Sequence, residues 1–138
     1  MSTVRGDLTR VTIPLRHRDM DTLGHLNQSL YHVFLEEART AVVLDALGTG
    51  RVDYVLARVE LDHLHEVRMT DREVVVEAWI ERVGSSSLTI GTRVLKPDGA
   101  VAASGTTVLV AWDPEARGSR RIVGDERERL LAAQGASS

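Results

Sequence analysis

Apolar and polar residues alternate along most of this chain, a pattern typical of strands that bury one face. The alternation predicts strands over residues 8–16, 54–64, 72–83, 88–95 and 101–112. Pro14 lacks the N–H that a central strand needs, so the first strand is expected to lie at a sheet edge or to end there. In the second strand, one face is expected to carry Val55, Ala57, Val59, Leu61 and His63. The stretch KPDG at 96–99 is typical of a tight turn and predicts a hairpin.

One segment breaks the alternation and predicts a long helix. Residues 27–47 carry apolar side chains on more than one helical face: Leu30, Val33, Phe34, Ala38, Ala41, Val42 and Leu44. Because only a narrow polar edge remains, the helix is expected to be enclosed on most sides. Asn27 is of a residue type that caps helix N-termini, and Gly48 stands where a terminating glycine belongs.

The order of these elements predicts an α+β domain. One strand is followed by the long helix and then by four antiparallel strands, which places the sheet around the helix. Polar residues 115–121 are expected to form a loop, residues 125–133 a short helix, and the last residues to be loose. A chain of 138 residues suits one domain, 1–138, with a core over about 8–123 and a C-terminal tail over 124–138.

Composition and charge exclude several classes of function. With 43% hydrophobic and 27% charged residues, the chain is typical of a globular protein. The net charge of −3 offers no basic surplus for nucleic acid or an anionic membrane, and no apolar run reaches the ~20 residues of a membrane span. The lack of cysteine excludes disulfides, thiolate metal ligands and a cysteine nucleophile. Because no signal-peptide core is present at the N-terminus, a cytoplasmic protein is expected.

Polar residues gather immediately before the predicted helix, in RDMDTLGHLN at 18–27. A helix N-terminus offers free backbone N–H groups and the positive end of a dipole, which suit a developing oxyanion. Asp21 is a candidate nucleophile or general base, and His25 can orient a group or move a proton near neutral pH. Gly24 allows a sharp turn and a close approach of substrate to the backbone. These residue types together suit the hydrolysis of an activated ester or thioester.

Other interpretations fit single features of this pattern. Asp, Asn and Gly before a helix commonly serve as caps and turns, and from spacing alone this is the more frequent role. A metal site is disfavoured because His63 and His65 have no third ligand near them in sequence. The chain has neither a G-x-S-x-G elbow nor a glycine-rich phosphate loop, which disfavours a serine hydrolase and a nucleotide-binding protein. No metal and no cofactor are therefore expected.

The stretch RHRDMDTLGHLNQSLYHVFLEEART at 16–40 resembles the opening motif of the hotdog-fold acyl-CoA thioesterases. This is the group around 4-hydroxybenzoyl-CoA thioesterase and the plant acyl-ACP thioesterases. The family pattern is roughly D-x-D-x-x-G-H-x-N-N, then Y and a later E-x-x-R. The matching positions are Asp19, Asp21, Gly24, His25, Asn27, Tyr31, Glu36 and Arg39. Later segments also resemble the family's strands, so the resemblance covers roughly residues 8–123.

The resemblance implies a fold, an assembly and an activity. The fold is a long central helix wrapped by a five- to six-stranded antiparallel sheet. The assembly is a homodimer or homotetramer, with active sites at the interface between paired sheets. The activity is hydrolysis of an acyl-CoA, or of an acyl thioester of acyl carrier protein, to the free acid. A non-catalytic acyl-thioester binding or regulatory protein of the same fold is the alternative function.

The resemblance also implies roles for individual residues. In the family the second acid of the D-x-D motif is the catalytic carboxylate, and that position is Asp21 here. His25 and Asn27 match positions that shape the site or assist the carboxylate. Backbone amides near Gln28 are expected to polarise the thioester carbonyl, although Gln28 replaces the usual second Asn of the motif. Tyr31 is expected either to line the acyl pocket or to pack in the core.

Two further sets of charged residues are assigned less directly. Glu36 and Glu37 are candidates for a second catalytic layout of this fold, but the match at the D-x-D motif is better. Coenzyme A phosphates need cations, for which Arg68 and the pair Arg120 and Arg121 are chosen. The default role of each arginine is a solvated surface charge.

Overall fold

One antiparallel sheet lies against a long helix in the computed structural model, which describes residues 8–48 and 53–134. The strands are β1 (Thr9–Pro14), β2 (Tyr54–His63), β3 (Glu73–Val83), β4 (Ser87–Leu95), β5 (Val101–Asp113) and β6 (Gly118–Ser119). The helices are α1 (Gln28–Leu47) and α2 (Gly124–Ala133). The strand order is β1-β3-β4-β5-β2, and β6 pairs with the end of β5. The predicted α+β class and the hotdog arrangement are confirmed.

The two ends of α1 follow from their capping residues. Asn27 accepts a hydrogen bond from the backbone N–H of Ser29, which satisfies one of the free donors of the first turn. Gly48 ends the helix in a left-handed conformation with φ of 65°, and its N–H donates to the carbonyl of Leu44. Both predicted caps are confirmed, and they fix where the polar motif before α1 meets the helix.

The core lies between the inner face of the sheet and one face of α1. On the sheet, Val76, Ala78, Ile80, Leu88 and Ile90 are fully buried. Each large apolar side chain buried in this way contributes ~1.5–3 kcal/mol relative to an exposed one. The segment predicted as a C-terminal tail also contributes, because α2 packs against α1 and β3 with Leu130 and Ala133 buried.

The outer side of α1 is less enclosed than its apolar pattern predicted. Val33 is 47% exposed, and together with Val11 and Leu44 it lines an open groove. The sheet covers one side of the helix, so the apolar residues on the opposite side remain accessible in the single chain. No helix within the described ranges has the length and apolar character needed to span a membrane.

Strand β2 differs from its prediction in one respect. Leu56 pairs with Leu109 and Arg58 with Val108, so Ala57 is an extra, bulged residue. The expected shared face is therefore wrong for Val55, because the bulge turns it to the opposite face from Val59, Leu61 and His63. Within 115–121, predicted as loop, the short β6 pairs with β5. The expectation for the last residues concerns 135–138, outside the described part of the chain.

Candidate active site

A tight turn over residues 20–26 places the polar motif before α1. Met20 and Leu26 form an antiparallel bridge across the turn. Asp21 donates its N–H to the carbonyl of His25 at 2.7 Å, and Gly24 donates its N–H to the carbonyl of Asp21 at 3.0 Å. Gly24 has φ of 80°, a conformation in which glycine is strongly favoured. The turn therefore holds Asp21 and His25 beside each other where the helix begins.

The carboxylate of Asp21 is oriented by this turn. Its Oδ1 accepts hydrogen bonds from the backbone N–H of Leu23 at 2.9 Å and of His25 at 3.0 Å. These bonds, the one from His25 foremost, hold the pKa of the Asp21 carboxyl below its usual value. Oδ2 accepts no hydrogen bond from the part of the chain that the structure describes. Asp21 is thus an exposed, ionised carboxylate with one oxygen available for chemistry.

A cavity of about 340 Å³ adjoins Asp21. It lies between the 20–26 turn, the first turn of α1 and the segment that follows β2. Four of the predicted site residues line it: Asp21, His25, Gln28 and Tyr31. The other lining residues are Leu26, His63, Leu64, His65, Glu66 and Val67. The structure thus brings the motif together with a segment, 63–67, that no sequence motif assigns to the site.

Two motif residues have evident structural contacts. Asp19 is buried, and its carboxylate accepts from the backbone N–H of Arg16 at 2.9 Å and pairs with the Arg16 guanidinium at 3.0 Å. Burial acts to raise the pKa of Asp19, but the hydrogen bonds and charge of Arg16 outweigh it and lower that pKa. Asn27 donates its N–H to the Asp19 carbonyl at 2.8 Å and uses Oδ1 to cap α1. Asn27 does not line the cavity; its predicted catalytic role stays a prediction.

His25 makes a short contact with a residue that the sequence did not indicate. Its Nε2 lies 2.6 Å from Oε1 of Glu66, and Oε2 of Glu66 lies 3.0 Å from the guanidinium of Arg68. The hydrogen bond from Arg68 is the main reason why the pKa of the Glu66 carboxyl is lowered. Glu66 carries no motif signal, because its position beside His25 depends on how the chain returns after β2.

Tyr31 is buried in the core, which is one of its two predicted alternatives, and it also lines the cavity beside Asp21. Its part in an acyl pocket stays a prediction. Burial raises the pKa of its hydroxyl. The Tyr31 ring meets the ring of His63 edge-on, with centroids 4.7 Å apart. The side-chain nitrogen of Gln28 lies 3.4 Å from Nε2 of His63. Across the described ranges, no group of three side chains is arranged to hold a metal ion.

The predicted cations for phosphate binding lie in two different places. Arg68 is exposed, and its backbone forms a bridge with His25 at the edge of the site. Arg120 instead binds Glu126 through two nitrogens, at 2.6 and 2.9 Å, and lies over the ring of Tyr54. These contacts tie α2 to the start of β2, away from the cavity of Asp21. Arg120 is therefore engaged in the fold.

Glu36 and Glu37 lie on the outer side of α1. Both are exposed, and both line the open groove that also contains Val11 and Val33. Neither residue is among those that line the cavity beside Asp21. The arrangement thus separates these two carboxylates from the polar motif.

Known proteins of one family resemble this chain in sequence and in fold. The family model of the thioesterase superfamily matches residues 23–103, more than half of the chain. A thioesterase from Thermus thermophilus, solved in complex with coenzyme A and Zn, is 33% identical, with a TM-score of 0.77, and 90% of this chain and 92% of that chain are covered. A candidate acyl-CoA thioesterase from Xanthomonas campestris is 34% identical, with a TM-score of 0.68 and coverage of 81% and 98%. No match was found among curated protein sequences.

Proposed function

This chain belongs to the thioesterase superfamily and is a thioester hydrolase; we propose that it hydrolyses an acyl-CoA and that Asp21 is the reacting carboxylate. The observation that carries the proposal is the Asp21 carboxylate in the wall of the cavity, with Oδ1 fixed by two backbone amides and Oδ2 unused. A lowered pKa keeps this group ionised at neutral pH, which is the form that either of its roles needs.

Two routes use the same oxygen of Asp21. In the first, Oδ2 attacks the thioester carbonyl carbon, the C–S bond breaks, coenzyme A leaves as a thiolate, and water then cleaves the resulting anhydride. In the second, Oδ2 takes a proton from a water molecule that attacks the carbonyl carbon directly. Both routes yield the free acid and coenzyme A. A single turnover in H₂¹⁸O detects the first route when water attacks the aspartyl carbonyl carbon of the anhydride, because ¹⁸O then enters Asp21 and the released acid carries none, whereas the second route puts ¹⁸O directly into the acid.

The start of α1 supplies a donor for the oxyanion. The N–H of Ser29 is used by the Asn27 cap, whereas the N–H of Gln28 makes no hydrogen bond to another described residue. Gln28 is the first residue of α1, and it lines the cavity. We assign its N–H as the donor that stabilises negative charge on the thioester oxygen. Since a backbone group acts, Gln in place of the usual Asn is compatible with this role. Asn27 shapes the site by capping the same turn.

Coenzyme A is the proposed carrier of the acyl group. The thioesterase from Thermus thermophilus is a complex with coenzyme A, which supports this choice. Arg68, beside the cavity, is the cation that we assign to a coenzyme A phosphate. The net charge of −3 disfavours strong attraction to an acidic carrier protein.

A homodimer is the proposed assembly. Strand β2 is an edge of the sheet, and its Val55 and Leu56 are 38% and 49% exposed. An open edge with exposed apolar residues favours pairing with another chain. Leu56→Lys is expected to produce a monomer in sedimentation velocity, whereas Leu131→Lys, on α2, is expected to leave the assembly unchanged. A wild-type chain that sediments as a monomer contradicts this assembly.

A substrate panel tests the proposed function. The wild-type protein is assayed on coenzyme A esters of short, long and aromatic acids, and on the same acids attached to acyl carrier protein. We expect turnover of at least one coenzyme A ester, at rates that Asp125→Asn, a substitution in the exposed Asp125–Arg129 ion pair, leaves unchanged. Turnover only of the carrier-protein thioesters contradicts the proposed substrate.

A further inference from the structure

Glu66 is a charged side chain at the cavity that neither route of hydrolysis uses. One of its oxygens lies 2.6 Å from Nε2 of His25 and the other 3.0 Å from the guanidinium of Arg68. We propose that Glu66 is a positioning residue: it holds the imidazole of His25 and, through His25, the orientation of the Asp21 carboxylate. The inference rests on the proposed function, because it takes Asp21 as the reacting group.

His25 connects Glu66 to Asp21 through its backbone. The N–H of His25 donates to Oδ1 of Asp21 at 3.0 Å, and the carbonyl of His25 accepts from the N–H of Asp21 at 2.7 Å. A shift of His25 therefore moves one of the two bonds to the Asp21 carboxylate and a backbone bond that holds Asp21 in the turn. A misplacement of about 1 Å in a catalytic group can cost on the order of 100-fold in rate.

Backbone hydrogen bonds hold the main chain of His25 in place but do not orient its imidazole. His25 forms a bridge with Arg68, and Leu26 donates its N–H to the carbonyl of Val67 at 2.8 Å. These bonds join the 20–26 turn to the segment that follows β2. The contact between His25 and Glu66 links the same two segments through side chains. Because the backbone bonds already align the two segments, this contact serves to orient the imidazole.

The contact also selects one tautomer of the imidazole. A carboxylate only accepts hydrogen bonds, so a neutral His25 that faces Glu66 through Nε2 carries its proton on that nitrogen. Nδ1 then keeps its lone pair and can accept a hydrogen bond from water or substrate. Glu66 is ionised at neutral pH, since the hydrogen bond from Arg68 lowers its pKa.

Other titratable groups lie around this pair on several elements. Asp21 lies on the same turn as His25, His63 and His65 line the same cavity, and Lys96 acts on Glu66 from the connection between β4 and β5. Within the described ranges, it is Glu66 that contacts the His25 imidazole directly. The proposal therefore assigns the positioning role to Glu66 alone.

Substitution of Glu66 tests the proposal by kinetics. With the coenzyme A ester that wild type hydrolyses best, Glu66→Ala is expected to lower kcat by about 10- to 100-fold, with KM within about twofold. Glu66→Gln keeps an acceptor oxygen and is expected to retain most of the activity. In a His25→Ala background, Glu66→Ala is expected to have no further effect, because the coupled residue is gone. Asp125→Asn is the matched control, and thermal denaturation verifies that each variant folds.

A second readout does not depend on activity. The nitrogen resonances of the His25 side chain are measured by NMR in alkaline solution, in which histidine side chains are neutral. We expect the wild-type values of a single tautomer with the proton on Nε2, and a shift toward the values of free histidine in Glu66→Ala. Unchanged resonances, a wild-type kcat in Glu66→Ala, or an equal loss in the His25→Ala background overturns the proposal. If wild type turns over no coenzyme A ester, the proposed substrate fails, and the resonances alone decide the role of Glu66.

Discussion

Gly105 on β5 lies so close to β2 that no side chain fits there. A Cβ at this position would overlap the carbonyl oxygen of Glu60 and lie 2.9 Å from Cα of Leu61. Both are backbone atoms, so neither can rotate away as a flexible side chain would. Gly105→Ala therefore forces the two strands apart near the His63 end of their pairing, which runs from Tyr54 to His63.

The cost of this separation can be worked out from its parts. Loss of about two hydrogen bonds of the strand ladder costs about 1 kcal/mol each. The overpacking itself adds about 1–3 kcal/mol. We therefore expect Gly105→Ala to lower the free energy of unfolding by about 3–5 kcal/mol, a sizeable part of the ~5–15 kcal/mol that stabilises a typical domain.

Urea denaturation of matched glycine variants checks this expectation. Gly118→Ala is the control, because a Cβ there meets nothing within 4 Å. Its unfolding free energy is expected to stay within about 0.5 kcal/mol of wild type. The reasoning is refuted if Gly105→Ala has the same denaturation midpoint as Gly118→Ala. Because β2 leads into the segment that lines the cavity, Gly105→Ala is also expected to reduce hydrolysis.

Three further predictions concern the helices and the carboxylate. Asn27→Ala is expected to lower the free energy of unfolding by about 1 kcal/mol, and Asn27→Ser to restore it, in chemical denaturation. Glu126→Ala removes the bonds to Arg120 and Tyr54, so we expect a loss of about 2 kcal/mol and faster hydrogen exchange in α2. Because the pKa of Asp21 is lowered from the ordinary 3.8, and only its carboxylate reacts, kcat/KM is expected to fall only below about pH 4. Any stability that the hydrogen bonds from Leu23 and His25 give to the Asp21 carboxylate is likewise lost as the pH falls through the folded pKa of Asp21. An acid limb near pH 6 that persists in His25→Ala speaks against Asp21.

The parts of the site that are local in sequence were predictable. Asp21, Gln28 and Tyr31 lie within one turn and the first turns of one helix, so capping rules and helical spacing place them together. The resemblance to hotdog-fold acyl-CoA thioesterases, drawn from this same stretch, is confirmed by the match to the thioesterase superfamily.

The parts that depend on the return of the chain were not predictable. Glu66 and His63 reach the cavity only because β2 pairs with β5 and then bends back toward the 20–26 turn. The bulge at Ala57 reverses the face of Val55, and no pattern of apolar residues marks such an insertion. The apolar pattern of α1 shows which residues favour burial, but not whether another element covers them. It therefore overestimated the burial of Val33, which the sheet does not cover.

Asp21→Asn is the most direct test of the account. Asparagine keeps an oxygen for the amides of Leu23 and His25, so the turn and the denaturation midpoint are expected to be preserved. An amide can neither attack the thioester nor take a proton from water, so kcat for the best coenzyme A ester is expected to fall by about 10²- to 10⁴-fold. A folded Asp21→Asn protein that hydrolyses the ester at the wild-type rate would contradict the assignment of Asp21 as the reacting carboxylate.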